Sequence, residues 1–317
     1  MNSFKPYSNG TAVNYGKLVF GKNSDGNPQE WYILGADSKV SGDNTIIFAS
    51  SPIGTWQKFN SNTNNKTYNY EADTGYGDNS GNIYVYSNHY GASDLRVALK
   101  DMADGSNKSY FTTAEQNLMN ATTVTTKDMK NKDSSGNYLT YTTTDKLYAL
   151  AADGYRSASI KAGSGNSTVL AMSCFWSDTS GYSFWLRSPI DNYDGDSGAF
   201  IATPGRYVEY GFWVYYKAVV QPASNLNLSS VLFASAATAA SSETAEAGTI
   251  ASDTAMALRL DGTGNNIGTV TYNITTGDIN VTKGSTTSNV ALVVQGNDGT
   301  NDWYYSKQIT GTETVNV

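Results

Sequence analysis

Few residues in this chain could carry covalent or metal chemistry. There is one histidine, His89, and one cysteine, Cys174. A zinc or iron–sulfur site needs two or more such ligands, so neither can be assembled from these. One cysteine also excludes an intramolecular disulfide. A Ser-His-Asp or Cys-His enzyme would have to use His89, and no Gly-x-Ser-x-Gly nucleophile elbow accompanies it. His89 sits in Ser87-Asn88-His89-Tyr90-Gly91 and reads as a surface-loop residue. Cys174 has Met172, Phe175 and Trp176 around it and reads as a buried thiol.

Carboxylates cluster in Asp191-Asn192-Tyr193-Asp194-Gly195-Asp196. Carboxylates and carbonyls are what a calcium ion binds, but this spacing is not that of an EF-hand, and Asp-Gly is ordinary turn chemistry. The loop is therefore expected to contact a ligand and to hold no metal. A glycosidase needs two carboxylates flanking a glycosidic bond, and no pair is singled out by spacing. Arg187 lies in the apolar stretch Phe184-Trp185-Leu186 and is expected to play a structural part, bonded to carbonyls or a counter-ion.

The densest feature is aromatic. Residues 206–217 include Tyr207, Tyr210, Phe212, Trp213, Tyr215 and Tyr216, with Arg206 and Glu209 among them. Tyrosine and tryptophan offer large, stiff, amphipathic contact area and dominate recognition surfaces. Trp213 and Val214 are assigned to the core. The candidate binding face is Asp191, Asn192, Tyr193, Asp194, Arg206, Tyr207, Glu209, Tyr210, Phe212, Tyr215 and Tyr216.

The elements that must position this face can be read in outline. Strands are expected at Gly16–Lys22, Glu30–Ala36 and Asn44–Ser50, and residues 60–82 read as a long loop. In Ser93–Ala103, Leu95, Ala98, Leu99 and Met102 form one stripe of a 3.6-residue period, with Ser93 as N-cap. A second helix is expected at Thr112–Ala121, where Thr112 and Glu115 have capping-box spacing. Short strands return at Gly181–Ser188, Gly198–Thr203, Tyr207–Trp213 and Ala218–Ala223. Six alternating runs follow between Ala255 and Val317, at the spacing of a β-sandwich. Composition shifts between these halves. Residues 1–225 hold 20 of the 23 tyrosines, and residues 234–254 are rich in Ala, Ser and Thr. The expected organisation is a first domain over 1–233, a linker over 234–254, and a second domain over 255–317.

The net charge is −7, which disfavours a nucleic-acid binder that must present a basic surface. No apolar run approaches a membrane span. Charged residues are only 15% of the chain, and neutral polar residues take their place, a balance found in extracellular strand-rich proteins.

Three segments together carry a resemblance. They are Tyr90-Gly91-Ala92-Ser93-Asp94-Leu95-Arg96; then Phe111-Thr112-Thr113-Ala114-Glu115-Gln116 with Thr144-Asp145-Lys146-Leu147-Tyr148-Ala149-Leu150; and Phe184-Trp185-Leu186-Arg187-Ser188-Pro189 with Val220-Gln221-Pro222-Ala223 and Asn225–Phe233. Residues 13–233 thereby resemble a family of bacterial surface-protein domains, mostly from Gram-positive anaerobes. The resemblance implies a C-type-lectin-like fold, related in architecture to the formylglycine-generating enzyme and to the variable proteins of diversity-generating retroelements. That family commonly reads Gly-Val-Arg-Pro-Ala where this chain has Val219-Val220-Gln221-Pro222-Ala223, so the arginine is absent here. The formylglycine-generating activity needs cysteines that this chain lacks.

The resemblance implies an α+β C-type-lectin-like domain, and the alternating runs after it read as an all-β Ig-like sandwich without a disulfide; the protein is expected to be displayed outside the cell after loss of a signal peptide. It would bind a protein or glycan through the aromatic face without a cofactor or metal. A diversified retroelement receptor is one form of this reading. The alternatives are a structural wall or stalk component without a ligand, and a glycosidase using Asp191, Asp194 or Glu209.

Overall fold

Apolar runs bounded by turn residues form the first strands, β1 (Lys17–Lys22), β2 (Pro28–Gly35) and β3 (Asn44–Ala49). The computed structural model describes residues 7–8, 13–14, 17–71, 75–77, 81–105, 110–157, 159–166, 168–171, 182–190, 198–203, 208–229, 231–236, 255–260, 266–286, 290–297, 299 and 302–316. They fall into two units, Met1–Ser230 and Val231–Val317. The protein is β-rich with few helices.

The first unit continues with β4 (Gln57–Lys58), β5 (Lys66–Tyr70), β6 (Gly81–Val85), α1 (Asp94–Asp104), α2 (Thr113–Leu118) and β7 (Met119–Asn120). A long hairpin follows, β8 (Thr122–Lys132) with β9 (Tyr138–Asp145), then β10 (Leu147–Tyr148). A meander of β11 (Ala151–Ala152), β12 (Ser159–Ala162) and β13 (Thr168–Ala171) precedes a three-stranded antiparallel sheet. That sheet is β14 (Phe184–Pro189), β15 (Gly198–Ala202) and β16 (Val208–Trp213). β17 (Lys217–Ala218) and β18 (Ala223–Asn227) close the unit.

Its main sheet runs β10-β18-β3-β2-β1, antiparallel throughout, with β7 also on β18. β3 is buried at every position, as a central strand covered on both faces must be. Tyr32, Ile46 and Phe48 join Tyr148, Leu150, Ile160, Phe184, Leu186 and Val208 in one core cluster. Trp31, one residue out of phase with Tyr32, packs instead with Phe20 and Phe111.

Local signals fix both helices. The Ser93 hydroxyl accepts from the Arg96 amide at 3.1 Å, and Leu95, Leu99 and Met102 are buried while Ala98 is half-buried. At α2 the Thr112–Glu115 capping box is complete, and Glu115 also accepts the Gly21 amide at 2.9 Å. Gly21 has φ +69, and a Cβ there would meet the Phe111 ring at 2.5 Å, so β1 can meet α2 only through glycine.

Four expectations are corrected. Residues 60–82 are not one loop, since β5 pairs with β6 in register from Lys66↔Val85 to Tyr70↔Gly81. Tyrosine supplies the inward position there, and Tyr68 is buried. α2 stops at Leu118 and not at Ala121, because Met119 and Asn120 pair with β18. Ala218–Ala223 is not one strand. Pro222 has no amide proton to give, and this stretch bonds through carbonyls, Val220 O to Ile53 N and Pro222 O to Ala49 N, both at 3.0 Å. The expected linker starts inside a strand, since Ala234–Ala236 belong to β19 (Val231–Ala236), paired with β20 (Ala255–Leu260). Residues 237–254 lie outside the described residues.

The second unit also holds β21 (Gly268–Tyr272), β22 (Asp278–Lys283), β23 (Val290–Asn297), β24 (Asp302–Ile309) and β25 (Thr312–Asn316). The sheet β21-β22-β25 and the hairpin β23-β24 share a core of Ile279, Val281, Leu292, Tyr305, Ile309 and Val315. Period-two alternation makes that core: Ile279, Val281 and Val315 point in, while Asn280, Thr314 and Asn316 point out. Among the described residues, no helix is long and apolar enough to cross a membrane.

One buried ion pair ties α1 to β9. Arg96 Nε and Nη2 donate to the two oxygens of Asp145 at 2.8 and 3.0 Å, and the Asp145 side chain has no solvent exposure. Removing the cation would strand that carboxylate. Arg96→Met should cost about 3–5 kcal/mol in urea unfolding. A loss under about 1 kcal/mol would show that this pair does not hold the two elements together.

Candidate functional site

The aromatic face is built outward from one tryptophan. Trp185, on β14, is buried, and its indole N–H donates to Gln57 O at 2.7 Å, which fixes β4 beside β14. Its ring meets Phe59 edge-on at 5.6 Å and Phe212 at 6.0 Å. From Phe212 the contacts continue to Tyr216 at 5.3 Å, to Tyr215 at 4.8 Å from Tyr216, and to Trp213 at 6.0 Å from Tyr215. Six rings thus run from the core to solvent.

The backbone turns sharply at the outer end. Tyr216 N donates to Trp213 O at 2.8 Å, and Asn60 N donates to Val214 O at 2.9 Å. β17 then pairs with β4, Lys217 opposite Lys58 and Ala218 opposite Gln57. Alternation sets the faces: Ala218 and Phe59 are buried, Lys217 is exposed and Lys58 partly so. Trp56, two residues before Lys58, is 46% exposed and meets the 48%-exposed Tyr182 edge-on at 5.1 Å. Tyr215 is 37% and Tyr216 47% exposed. Trp56, Lys58 and Lys217 thus share the outward side of this short ladder, with Tyr182 against Trp56, while the exposed Tyr215 and Tyr216 lie in the turn just before Lys217.

Of the sequence-derived face, Phe212, Tyr215 and Tyr216 come together here. Glu209 and Tyr210 lie on β16, with side chains outside the description. Asp191, Asn192, Tyr193, Asp194, Arg206 and Tyr207 lie outside the described residues, as does Cys174. Trp213 is corrected: it is half-buried and stacked on Tyr215, while its neighbour Val214 takes the core position. Trp56, Tyr182, Lys58 and Lys217 were not singled out by sequence. A two-residue strand is too short to show a period, so only the Trp56-Gln57-Lys58 composition hinted at them.

His89 is the second correction. It is 2% exposed, not a surface residue. Its ring stacks on Tyr141 at 3.8 Å and packs against Tyr68 at 4.7 Å. The Tyr76 hydroxyl donates to Asp128 at 2.7 Å and lies 2.8 Å from His89 Nε2. Tyr76 has one proton to give, so Nε2–H is the donor to it, and Nδ1 accepts from Ala92 N at 3.2 Å. The imidazole is neutral, and burial pushes its pKa down to about 3. Burial also raises the Tyr76 and Tyr141 hydroxyls. A general base needs a free lone pair within reach of a substrate proton. The lone pair of His89 is already taken by a backbone amide, so this cluster is structural polar packing.

Arg187 is wholly buried, as its apolar strand implied. It donates to Ala149 O at 2.6 Å and to Asn166 Oδ1, and lies over the Tyr148 ring at 6.0 Å. Burial lowers its pKa to about 10, still far above neutrality. Among the described residues, no three His, Cys, Asp or Glu side chains converge on a metal position.

Comparison with protein-family models, with curated proteins and with solved structures found no match to this chain.

The buried imidazole predicts a pH dependence. Between about pH 6.5 and 3 the unfolded chain binds a proton that folded His89 refuses. Its contribution to stability is therefore complete above pH 6.5 and is lost as pH falls. The slope is up to about 1.4 kcal/mol per pH unit. Urea titrations across this window should show a shallower slope for His89→Gln than for the native chain. Equal slopes would contradict the neutral, sealed imidazole.

Proposed function

We propose that this protein is a non-enzymatic, extracellular binding module, whose first unit recognises a glycan or protein through the aromatic face around β4 and β17. In this reading the first unit is a C-type-lectin-like domain and the second an Ig-like spacer that carries it, as in adhesins. The observation behind it is the exposure of Trp56 and Tyr182, in edge-on contact, and of Tyr215 and Tyr216, which pack back through Phe212 onto Trp185. A chain normally buries such large rings, and several of them grouped on a surface mark an interaction site. Rings wedged by Trp185 are already ordered, so little side-chain entropy is lost when a ligand stacks on them. Sugar rings present C–H faces to stack and hydroxyls to bond, and Lys58 and Lys217 are opposed on the ladder that follows Trp56.

The lectin-like reading draws support from the sheet. β1 and β18, near the two ends of the unit, lie in the same sheet, with both helices and a smaller three-stranded sheet inserted between them. The Ig-like reading draws support from the alternating strands and shared core of the second unit. The candidate face joins residues 53–60 to residues 182–219, so the pairing of β4 with β17 is what assembles it.

A glycan array probed with the labelled protein tests this. Trp56→Ala, Tyr215→Ala and Tyr216→Ala should each weaken the strongest hit by about 1–2 kcal/mol, roughly 5- to 30-fold, with unchanged circular dichroism. Trp185→Ala should instead lower stability by about 3–5 kcal/mol. An array and a matching protein screen that both stay empty would overturn the reading in favour of a stalk, as would full binding by the three alanine variants.

A further inference from the structure

We propose that two copies of this chain associate through the free edge of β21 in the second unit, strand against strand and antiparallel about Thr271.

The backbone of β21 is bonded on one side. It is an outer strand of the β21-β22-β25 sheet and is exposed at all five positions. Asn273 N donates to Asp278 O at 2.8 Å and Gly284 N to Ile267 O at 2.9 Å, in the register that sets Thr271 opposite Asn280. Bonded pairs alternate along an antiparallel ladder. Thr269 and Thr271 therefore turn their N–H and C=O groups to β22, and Val270 and Tyr272 turn theirs to the open edge. Their side chains are also uncovered. Val270 stands opposite Val281 and Tyr272 opposite Ile279, so both leave the core face of the sheet. The hairpin β23-β24 buries Val281 and Ile279, whereas Val270 and Tyr272 stay 57% and 63% exposed.

The other edge of this sheet is guarded. Glu313 on β25 stands in line with Val281, on the same face, and Lys307 holds it at 2.8 Å. A charge pointing inward from an edge strand obstructs the docking of a further strand. β21 has no such device. Residues 262–277 carry no charged side chain and no proline, in a chain of net charge −7. The ladder from Gly268↔Lys283 to Tyr272↔Ile279 has no bulge.

Such an edge accepts an extended strand, and β21 is its own complement. About a two-fold axis at Thr271, Val270 faces the partner's Tyr272, Tyr272 faces the partner's Val270, and the two Thr271 side chains meet on the opposite face. The Val–Tyr pairs are of the bonded type, which gives about four main-chain hydrogen bonds. Aromatic–β-branched and Thr–Thr cross-strand pairs are favourable, and no like charges are opposed. The interface is small, below about 1,200 Å², so the dimer is weak, with a Kd of tens of micromolar or more. Each dimer carries two first units, and so two candidate faces for a repeated ligand.

Sedimentation velocity of the full chain from about 5 to 500 µM tests this. The dimer fraction should rise across that range. Val270→Lys should remain monomeric throughout, and Val270→Pro, which removes an amide aimed at the open edge, should do the same. Thermal melts of both variants should match the native chain at low concentration. Thr271→Cys in a Cys174→Ser background should oxidise to a disulfide-linked dimer, because the axis brings these two positions together. Thr269→Cys in the same background should not, since its opposite number is the partner's Asn273. A native chain that is monomeric at the highest concentration would overturn the proposal. So would a dimer that persists in Val270→Lys, or equal cross-linking of the two cysteine variants, either of which would place the contact elsewhere.

Discussion

The Trp185 indole holds the candidate face in place from below. Its N–H gives a directed bond to the Gln57 carbonyl, and its ring fills the space between Phe59 and Phe212. Those two rings come from stretches more than 150 residues apart in sequence. A lone two-residue strand such as β4 or β17 has too few backbone bonds to be stable by itself. The indole supplies what the short ladder lacks, an apolar wedge and one oriented hydrogen bond. Everything outside it, from Phe212 to Tyr216 and from Gln57 to Trp56, inherits its position.

A second layer of constraint lies behind the loop that enters α1. His89, Tyr68, Tyr76 and Tyr141 stack there, and Asp128 accepts a hydrogen bond from the Tyr76 hydroxyl. Asp128 also accepts from the Lys130 and Asn131 amides and from Asn131 Nδ2, so the buried carboxylate is bonded on both oxygens. Next to it Arg96 binds Asp145 and the Gly91 carbonyl. The same loop reaches β15 through Asn88 Nδ2, which donates to Gly198 O at 3.0 Å. These bonds connect the first helix to the sheet that carries the aromatic face. They are costly groups to bury, and each is satisfied by a specific partner, which gives the region one arrangement in place of several.

What the sequence made legible follows from the range of the interactions. Both helix starts were readable because a cap needs partners only three residues away, as Ser93–Arg96 and Thr112–Glu115 show. The strands of the second unit were readable because their alternation is local. The burial of His89 was not, since its neighbours come from positions 68, 76 and 141. The hairpin β5–β6 was hidden because Tyr68 and Asn69 alternate within a polar stretch that composition alone reads as loop. The candidate site was half legible: Phe212, Tyr215 and Tyr216 stood out as a run, whereas Trp56 and Tyr182 join them only through the register Lys217↔Lys58 and the contact that Trp185 makes.

The central claim is that ligand meets the outer rings while the wedge beneath stays fixed. Nuclear magnetic resonance of the tryptophan indoles reads this directly, because Trp31, Trp56, Trp185 and Trp213 each give a separate signal. On titration with the strongest ligand from the array, the Trp56 and Trp213 indoles should shift, and Trp31, in the separate cluster with Phe20 and Phe111, should stay still. The Trp185 N–H should remain protected from solvent exchange throughout. Shifts confined to Trp303 in the second unit, or rapid exchange of the Trp185 proton in the free protein, would contradict the account.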